Sequence, residues 1–485
     1  MNRVTKCIVF FACIVALAVA GISSPHETSA AKPAKKNVGW TETWAKPNAV
    51  FDGTKISDMS KFDPSKWVNP QGDTIKIAVV WPHSGPGALN GDSAWLCMTW
   101  VAYDINQRGG IMVDGKKKKI ALYKADSMSK PDQAKKICER MVLQEKVHLL
   151  IGTSGSNVAK IQNEVANKYK IISVNVAANA DELQDATNFN RYSFMTSDST
   201  FSNGRALAYF YGQRKKEKKF YILCQDYSYG RDIAEGFKRG LKEYYPEAKI
   251  VGEDYHKLFL TDFAPYLTKI KASGTEVIFT GDWMPDSSNL LKQSRQMGLN
   301  IPLAGNYIDD VNALIQVGVE GSKGLMAVKP YEKPGPSFTD PGMVRFYQSW
   351  NNQWKNVWKA PFNTALFKYP WGAWIQNFYW TLSVMERAQS TDPEKIIRVW
   401  EGDTYKMVTG RLIKMRACDH KAIQGFRVGE FVPPAEQKQN MNIRPFTWMD
   451  NCSLTGPTWD VPPAKVLPWM DQKLDRCKGK NDWGN

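Results

Sequence analysis

Histidine is scarce in this 485-residue chain, and the sequence motifs of several enzyme classes are missing from it. Five His are scattered through the sequence and no Cys-x-x-Cys pair occurs, which argues against a zinc site. The chain also lacks a Walker motif, a G-x-G-x-x-G turn and the G-x-S-x-G spacing of a nucleophile elbow. His83 beside Ser84 lies in a turn, where a His is usually exposed, and the adjacent Asp419 and His420 would point apart on a strand. We therefore predict no catalytic residues, no metal and no cofactor.

Long apolar runs are equally rare, and the longest is Cys7 to Gly21, which follows the cations Arg3 and Lys6. A cationic start, a short apolar middle and small residues before the exit are typical of a secretory signal peptide, which we assign to residues 1–30. The run is shorter than the roughly 20 residues that span a bilayer, so a retained anchor remains the alternative. The assignment predicts a mature protein outside the cytoplasm.

Positive charge exceeds negative charge, with a formal net charge of +16, but it is not concentrated in one place. The Lys and Arg clusters at 116–119 and 214–219 are short, which is typical of a solvated surface rather than a nucleic-acid-binding face. Export makes nucleic acid a still poorer partner. We predict no nucleic-acid binding.

Two of the eight Cys lie in the assigned signal peptide. An oxidising compartment permits disulfides among the remaining six, and we predict a bond between Cys452 and Cys477 in the loop-rich tail. If the first sheet has a flavodoxin-like strand order, right-handed crossovers place Cys97 and Cys138 on opposite faces. Those two would then be separate buried thiols.

Strand and helix patterns alternate from residue 74 onward. Ile75 to Trp81 is typical of a buried strand, and Asp92 to Gln107 has the apolar stripe of a helix. The alternation continues to a strand at Lys170 to Asn175 and restarts after Thr200. Repeated βαβ units predict an α/β fold with two Rossmann-like lobes, each with a parallel sheet covered by helices. Tandem lobes imply a cleft between them, at the carboxyl ends of the strands.

Small polar turns and aromatic side chains are expected to face this cleft. Gly152 to Asn157 follows the third strand and leads into a helix, whose N–H groups can hold a carboxylate with the help of a Ser hydroxyl. Later strands end near Tyr229, Trp283, Tyr307 and Asp309, a set that suits an ammonium group or an apolar side chain. The alternatives are a plain Gly/Ser turn for the first segment and ordinary packing for Trp283 and Tyr307.

Eight segments occur in an order that is specific to one family. They are IKIAVVWPHSGPGALNG (75–91), DINQRGGI (104–111), DSMSKPDQA (126–134), IGTSGSN (151–157), IISVN (171–175), DYSYGRD (226–232), LLKQSRQMGLNIPLAGN (290–306) and STDPEKI (390–396). With these segments the chain resembles the branched-chain amino-acid and amide family of ABC-importer solute-binding proteins, from about Thr74 to Phe426. The family has the type I periplasmic binding fold.

The resemblance implies a clamshell whose lobes close about a hinge of three crossover strands. It divides the chain into an N-terminal extension (31–73), a first lobe (74–195 plus 329–404), a second lobe (196–328 plus 405–430) and a C-terminal extension (431–485). It further implies a periplasmic monomer that captures a small carboxylate or amino acid and delivers it to an ABC permease in the inner membrane. We expect the C-terminal extension to pack on the lobes, with docking to the permease as the alternative.

The resemblance also implies roles for particular residues. Ser156 matches the carboxylate-binding Ser, beside backbone groups of Ser154 and Gly155. Asn175 matches the position whose carbonyl meets the ligand ammonium, and Tyr229 matches the cleft Tyr of the second lobe.

Departures from the family pattern concern the ligand amine. Ala177 lies in the segment where the family commonly has an amine-binding Thr, and the expected acidic position falls nearest Tyr307, with Asp309 two residues on. Trp81 enlarges the apolar wall. We therefore hypothesise a carboxylate ligand, such as an aromatic acid, whose ammonium recognition is altered or missing. A ligand sensor for a membrane receptor and an exported hydrolase are the alternatives to a transport function.

Overall fold

The computed structural model describes residues 55–330, 341–368, 370, 372–407, 412–431, 458–467 and 473–478. The predicted signal peptide, Cys452 and most of both predicted extensions lie outside these ranges. Among the described helices, none combines the length and apolar character needed to cross a membrane.

The described residues contain eleven α-helices and sixteen strands. The helices are α1 (Ala88–Gln107), α2 (Pro131–Leu143), α3 (Ser156–Tyr169), α4 (Thr200–Arg214), α5 (Ser228–Tyr244), α6 (Ala264–Ser273), α7 (Asp286–Gln296), α8 (Val311–Ser322), α9 (Pro341–Asn356), α10 (Gly372–Ala388) and α11 (Pro393–Trp400). The strands are β1 (Thr74–Trp81), β2 (Ile111–Val113), β3 (Lys116–Asp126), β4 (Leu149–Gly152), β5 (Ile172–Asn175), β6 (Ser193–Met195), β7 (Lys219–Gln225), β8 (Lys249–His256), β9 (Val277–Phe279), β10 (Leu303–Gly305), β11 (Met326–Lys329), β12 (Thr404–Lys406), β13 (Leu412–Met415), β14 (Ala422–Ile423), β15 (Phe426–Glu430) and β16 (Thr458–Val461).

The first lobe is built on a six-stranded sheet with the order β2-β3-β1-β4-β5-β6. All pairs are parallel except the β2–β3 hairpin. The central strand β1 is almost entirely buried because helices cover both faces of the sheet. Large aromatic side chains fill the core on one face, where Trp100, Trp350 and Trp358 pack with ring centroids 4.9 to 6.3 Å apart.

The second lobe is built on a seven-stranded sheet with the order β16-β15-β11-β10-β9-β7-β8. Its parallel part, β8-β7-β9-β10-β11, repeats the strand order of the first lobe, so the predicted tandem α/β architecture is confirmed. β15 and β16 extend this sheet in antiparallel fashion. Strand β16 forms in a region where the sequence patterns gave no clear strand.

A small antiparallel sheet, β12-β13-β14, packs on the first lobe, with Tyr405, Ile413 and Met415 in that lobe's core. The chain passes from the first lobe to the second between β6 and α4, and again between β14 and β15. It returns to the first lobe between β11 and α9.

The predicted disulfide between Cys452 and Cys477 is wrong in its partner. Cys477 is bonded to Cys418, with the two Cα atoms 5.2 Å apart. The two cysteines of the tail are close in sequence, but folding brings the tail back to the turn between β13 and β14, where Cys418 lies. Cys97 and Cys138 are buried thiols, as predicted, and so is Cys224.

Candidate functional site

A narrow cleft lies between the two lobes, at the carboxyl ends of the strands. It is lined by residues of both lobes: Asn90, Ser154, Ala177, Asn179 and Trp374 from the first, and Tyr229, Trp283, Met284 and Tyr307 from the second. They leave about 20 Å³ of free space, room for about one water molecule. The two walls therefore stand nearly in contact.

The second-lobe wall is aromatic, and its polar groups are held by one another. Trp283 Nε1 donates to the Tyr227 hydroxyl at 2.8 Å, and the Tyr229 hydroxyl donates to Asn306 Oδ1 at 2.9 Å. The Tyr227 and Tyr229 rings stack with centroids 5.7 Å apart. Burial raises the pKa of Tyr229 and of Tyr307, so both hydroxyl groups stay neutral. The wall is thus a fixed, uncharged surface that suits an apolar or aromatic ligand.

Buried polar contacts fix the loop between β9 and α7 that carries Trp283. His256 Nε2 lies 2.8 Å from Asp282 Oδ2, and Gln225 donates to Asp286 at 2.8 Å. Burial raises the pKa of Asp286 to about 6. Because these partners come from β7 and β8, the loop is anchored to the sheet behind it.

The first-lobe wall contains the polar turn between β4 and α3. Gly155 is the N-cap of α3 and has no side chain with which to cap the helix, whose first residue is Ser156. N–H groups in the first turn and the positive end of the helix dipole favour an anion at such a position. Ser154 lies in the cleft lining next to this turn. This corner of the cleft can hold a carboxylate.

Half of the ten predicted ligand-binding residues line the cleft together. They are Ser154, Ala177, Tyr229, Trp283 and Tyr307. Gly155 adjoins them as the N-cap of α3. Trp81 is fully buried one layer behind the cleft, where its ring packs against Trp374 at 5.4 Å.

Ser156 and Asn175 support the backbone beside the cleft. Ser156 is 1% exposed, and its hydroxyl oxygen accepts a hydrogen bond from the Ala180 N–H at 3.3 Å. The Asn175 carbonyl accepts from the N–H groups of Thr196 at 3.0 Å and Ser197 at 3.1 Å. These bonds use both lone pairs of the carbonyl that was predicted to meet a ligand ammonium.

Asp309 is ion-paired with Lys329, at 2.9 Å between Oδ1 and Nζ. The same ammonium group donates to the Asn306 carbonyl and lies 4.9 Å from the centroid of the Tyr307 ring. The charge of the predicted acidic residue is therefore balanced from within the protein.

Five residues at or beside the cleft were missed by the sequence analysis: Asn90, Asn179, Met284, Trp374 and Lys329. Asn179 and Met284 are close in sequence to predicted site residues, so a wider window around each strand end would have included them. Trp374 and Lys329 come from α10 and the end of β11. No local pattern connects Trp374 with the cleft, and Lys329 was missed because its strand was not predicted.

The residue pairs considered for catalysis do not form a joint site. Asp419 is ion-paired with Arg416, and His420 Nε2 contacts Glu401 at 3.0 Å. Ser84 donates to Asp126 rather than to His83. In the described ranges, the one cluster with metal-ligand residue types contains the sulfurs of the Cys418–Cys477 disulfide.

Two α/β lobes that face each other across an aromatic and carboxylate-compatible cleft define a ligand-binding protein of the clamshell type. The chain belongs to the periplasmic binding protein family, whose profile matches residues 74–438. The predicted resemblance to ABC-type solute-binding proteins with the type I periplasmic binding fold is confirmed.

Individual relatives are distant but match most of their length. The Leu/Ile/Val/Thr-binding protein of Salmonella typhimurium is 25% identical over 369 residues, 74% of this chain and 91% of its own. A Leu-, Ile-, Val-, Thr- and Ala-binding protein from Brucella ovis, in a closed conformation, has a TM-score of 0.67 at 20% identity and covers 83% of this chain and 99% of its own. A solute-binding protein from R. palustris in complex with 4-hydroxybenzoate has a TM-score of 0.62 at 20% identity, with coverages of 81% and 100%.

Proposed function

We propose that this protein is a periplasmic solute-binding protein of an ABC importer, which captures a small carboxylate between its lobes and delivers it to a permease in the inner membrane. The observation that carries the proposal is the cleft itself, where the start of α3 and Ser154 face the aromatic wall of Tyr229, Trp283 and Tyr307. The family relationship supports it. Binding without turnover and a monomeric state are parts of the proposal.

We place the carboxylate of the ligand at the turn that begins α3, and the apolar part of the ligand against the aromatic side chains of the second lobe. Ser154 and the N–H groups of the turn offer hydrogen bonds that partly replace those of water, so the carboxylate can be buried without a cation. Since the lining leaves about 20 Å³ of free space, a ligand enters only when the lobes separate about the crossover segments. Closure then brings both walls onto the ligand.

A thermal-shift panel tests the ligand class, with benzoate and 4-hydroxybenzoate on one side and leucine and valine on the other. A ligand at 100 times its Kd adds about 2.7 kcal/mol to the free energy of unfolding, which raises Tm by a few degrees. At least one of these carboxylates should give such a shift, and calorimetry would supply its Kd. The proposal fails if no small carboxylate binds, or if the purified protein converts its ligand to a product.

Paired variants test how the carboxylate is held. Ser154→Ala should weaken binding by about 1–3 kcal/mol, because a buried carboxylate loses one hydrogen bond. Ser156→Ala is the matched comparison, since the family resemblance assigns that role to Ser156 while its hydroxyl contacts Ala180. If only Ser156→Ala weakens binding, the carboxylate lies deeper in the turn than we place it. Neither variant having an effect would remove the turn from the site.

A further inference from the structure

Lys329 presents a partly buried ammonium group beside the cleft. It is the last residue of β11, and its side chain is 13% exposed. Its Nζ is 2.9 Å from Asp309 Oδ1, donates to the Asn306 carbonyl and lies 4.9 Å from the centroid of the Tyr307 ring. Tyr307 itself lines the cleft. The ammonium group therefore lies one aromatic ring away from the ligand space.

The contacts of this ammonium are those that recognise a primary amine. A carboxylate supplies opposite charge, a carbonyl supplies a hydrogen-bond acceptor and an aromatic face supplies a cation–π contact. Asp198 is a further acidic group close enough to Lys329 for their charges to interact, and burial raises the pKa of Asp198. The set as a whole is an amine subsite filled from within the chain.

We propose that Lys329 acts as an internal ammonium that determines specificity by pairing with Asp309, the acidic group that would otherwise attract the amine of an amino acid. Asp309 follows a strand of the second lobe, in the segment where relatives of this family are expected to bind the ligand amine. Because the charge of Asp309 is balanced by Lys329, a ligand amine entering the cleft would lose its water and find this carboxylate already paired. The cleft should thus select carboxylates that lack an α-amine.

This inference rests on the proposed function, because it names the class of carboxylate for the same cleft. It does not depend on the size or shape of the ligand body. Pairs of acids that differ only in the amine can therefore test it.

Calorimetry that compares Leu with 4-methylpentanoate and Phe with 3-phenylpropanoate tests the inference. The wild-type protein should bind the amine-free member of any bound pair at least tenfold more tightly. Lys329→Ala should reduce that preference at least tenfold, because Asp309 and the Asn306 carbonyl lose the ammonium group with which they pair in the wild-type protein. Lys257→Ala, at an exposed site outside the cleft, should keep the wild-type preference.

A ligand-independent measurement uses ethylammonium as a probe of the vacated subsite. Millimolar ethylammonium chloride should raise the Tm of Lys329→Ala, relative to sodium chloride at equal ionic strength, and leave wild-type unchanged. Lys329→Met fills the same volume without charge and should show neither the rescue nor the gain in amino-acid binding. If Lys329→Ala fails to fold, Lys329→Ser serves in its place.

The outcomes separate this inference from the proposed function. Wild-type protein that binds Leu or Phe as tightly as the amine-free partner overturns the inference and keeps the proposed function. An unchanged preference in Lys329→Ala also overturns it. If no small carboxylate binds at all, the proposed function fails, and ethylammonium rescue alone decides whether the amine subsite exists.

Discussion

Asp232 brings a carboxyl group to the boundary between the two lobes. It lies on α5 of the second lobe, and its Oδ2 accepts from the backbone N–H of Asp181, in the first lobe, at 2.8 Å. Removal from water and the nearby charge of Asp181 raise the pKa of Asp232. Asp181 is itself buried against Lys421, at 2.8 Å. The protonated form of Asp232 is therefore favoured in the folded protein.

This raised pKa predicts a pH dependence of stability. Because the folded state holds the proton more tightly than the unfolded state, the free energy of unfolding falls as pH rises from about 4 through the raised pKa, by at most about 1.4 kcal/mol per pH unit. Asp232→Asn should flatten this dependence and be the more stable protein at the alkaline end. Urea unfolding at several pH values measures it. Glu164→Gln, at an exposed position, is the control and should retain the wild-type slope. A wild-type slope in Asp232→Asn would show that the pKa of Asp232 is not raised.

Site residues could be predicted from sequence where a strand end places them and not where a distant element supplies them. Ser154 and Tyr229 follow β4 and β7 directly, so the position of the strand was enough to find them. Trp374 lines the cleft from α10, a helix whose place depends on the packing of the whole chain, and Lys329 ends β11, a strand that was not predicted from the sequence. The ion pair of Asp309 could not be predicted either, because its partner Lys329 lies twenty residues away in sequence.

At the scale of elements, α4 and α5 pack so closely that glycine is required between them. A Cβ atom at Gly236 would lie 2.1 Å from the carbonyl oxygen of Phe201, and one at Gly204 would lie 2.1 Å from that of Ile233. Neither contact is sterically possible, so the helices would have to move apart. This packing also fixes Tyr229, in the first turn of α5, at the edge of the cleft.

Gly236→Ala should therefore destabilise the protein and weaken ligand binding together. An exposed Gly in a helix would gain up to about 1 kcal/mol from this change, whereas forced separation of packed helices costs about 1–3 kcal/mol. We expect the second effect to dominate, as measured by denaturant unfolding. Lys242→Ala, on the exposed side of the same helix, should change stability by less than about 0.5 kcal/mol. A stabilised Gly236→Ala protein would show that the helix pair can adjust.

The parallel sheets were predictable because their strands are short apolar runs between amphipathic helices. The period of apolar residues changes from strand to helix along the chain, and that change carries the fold class. Strand β16 was not predictable in this way. It is a four-residue edge strand, stabilised by pairing with β15 and by burial of Val461, and neither contact is visible in its local pattern.

At the scale of the whole molecule, the C-terminal part of the chain is attached to both lobes. Its strand β16 belongs to the second-lobe sheet, and Val466 lies in the core of that lobe. Further on, the Leu474 carbonyl accepts from the Ala186 N–H of the first lobe at 2.9 Å, and the Arg476 guanidinium stacks on the Phe189 ring at 3.7 Å. The chain therefore crosses between the lobes once more after the three crossovers already described, and the disulfide of Cys477 closes this last crossing.

The Cys418–Cys477 bond should thus stabilise the two-lobed assembly as a unit. It closes a loop of 59 residues, for which loss of unfolded-chain entropy gives about 4 kcal/mol, and measured effects are typically 2–4 kcal/mol. Cys477→Ser should lower the free energy of unfolding by about that amount, and dithiothreitol should lower the wild-type value equally while leaving Cys477→Ser unchanged. Cys418→Ser and the double variant should match the single one, since either removes the same bond. Cys452→Ser should keep full stability and full sensitivity to dithiothreitol. If only Cys452→Ser and Cys477→Ser lower the free energy of unfolding, the bond is instead the Cys452–Cys477 bond expected from the sequence. The disulfide would then not link the tail to the first lobe.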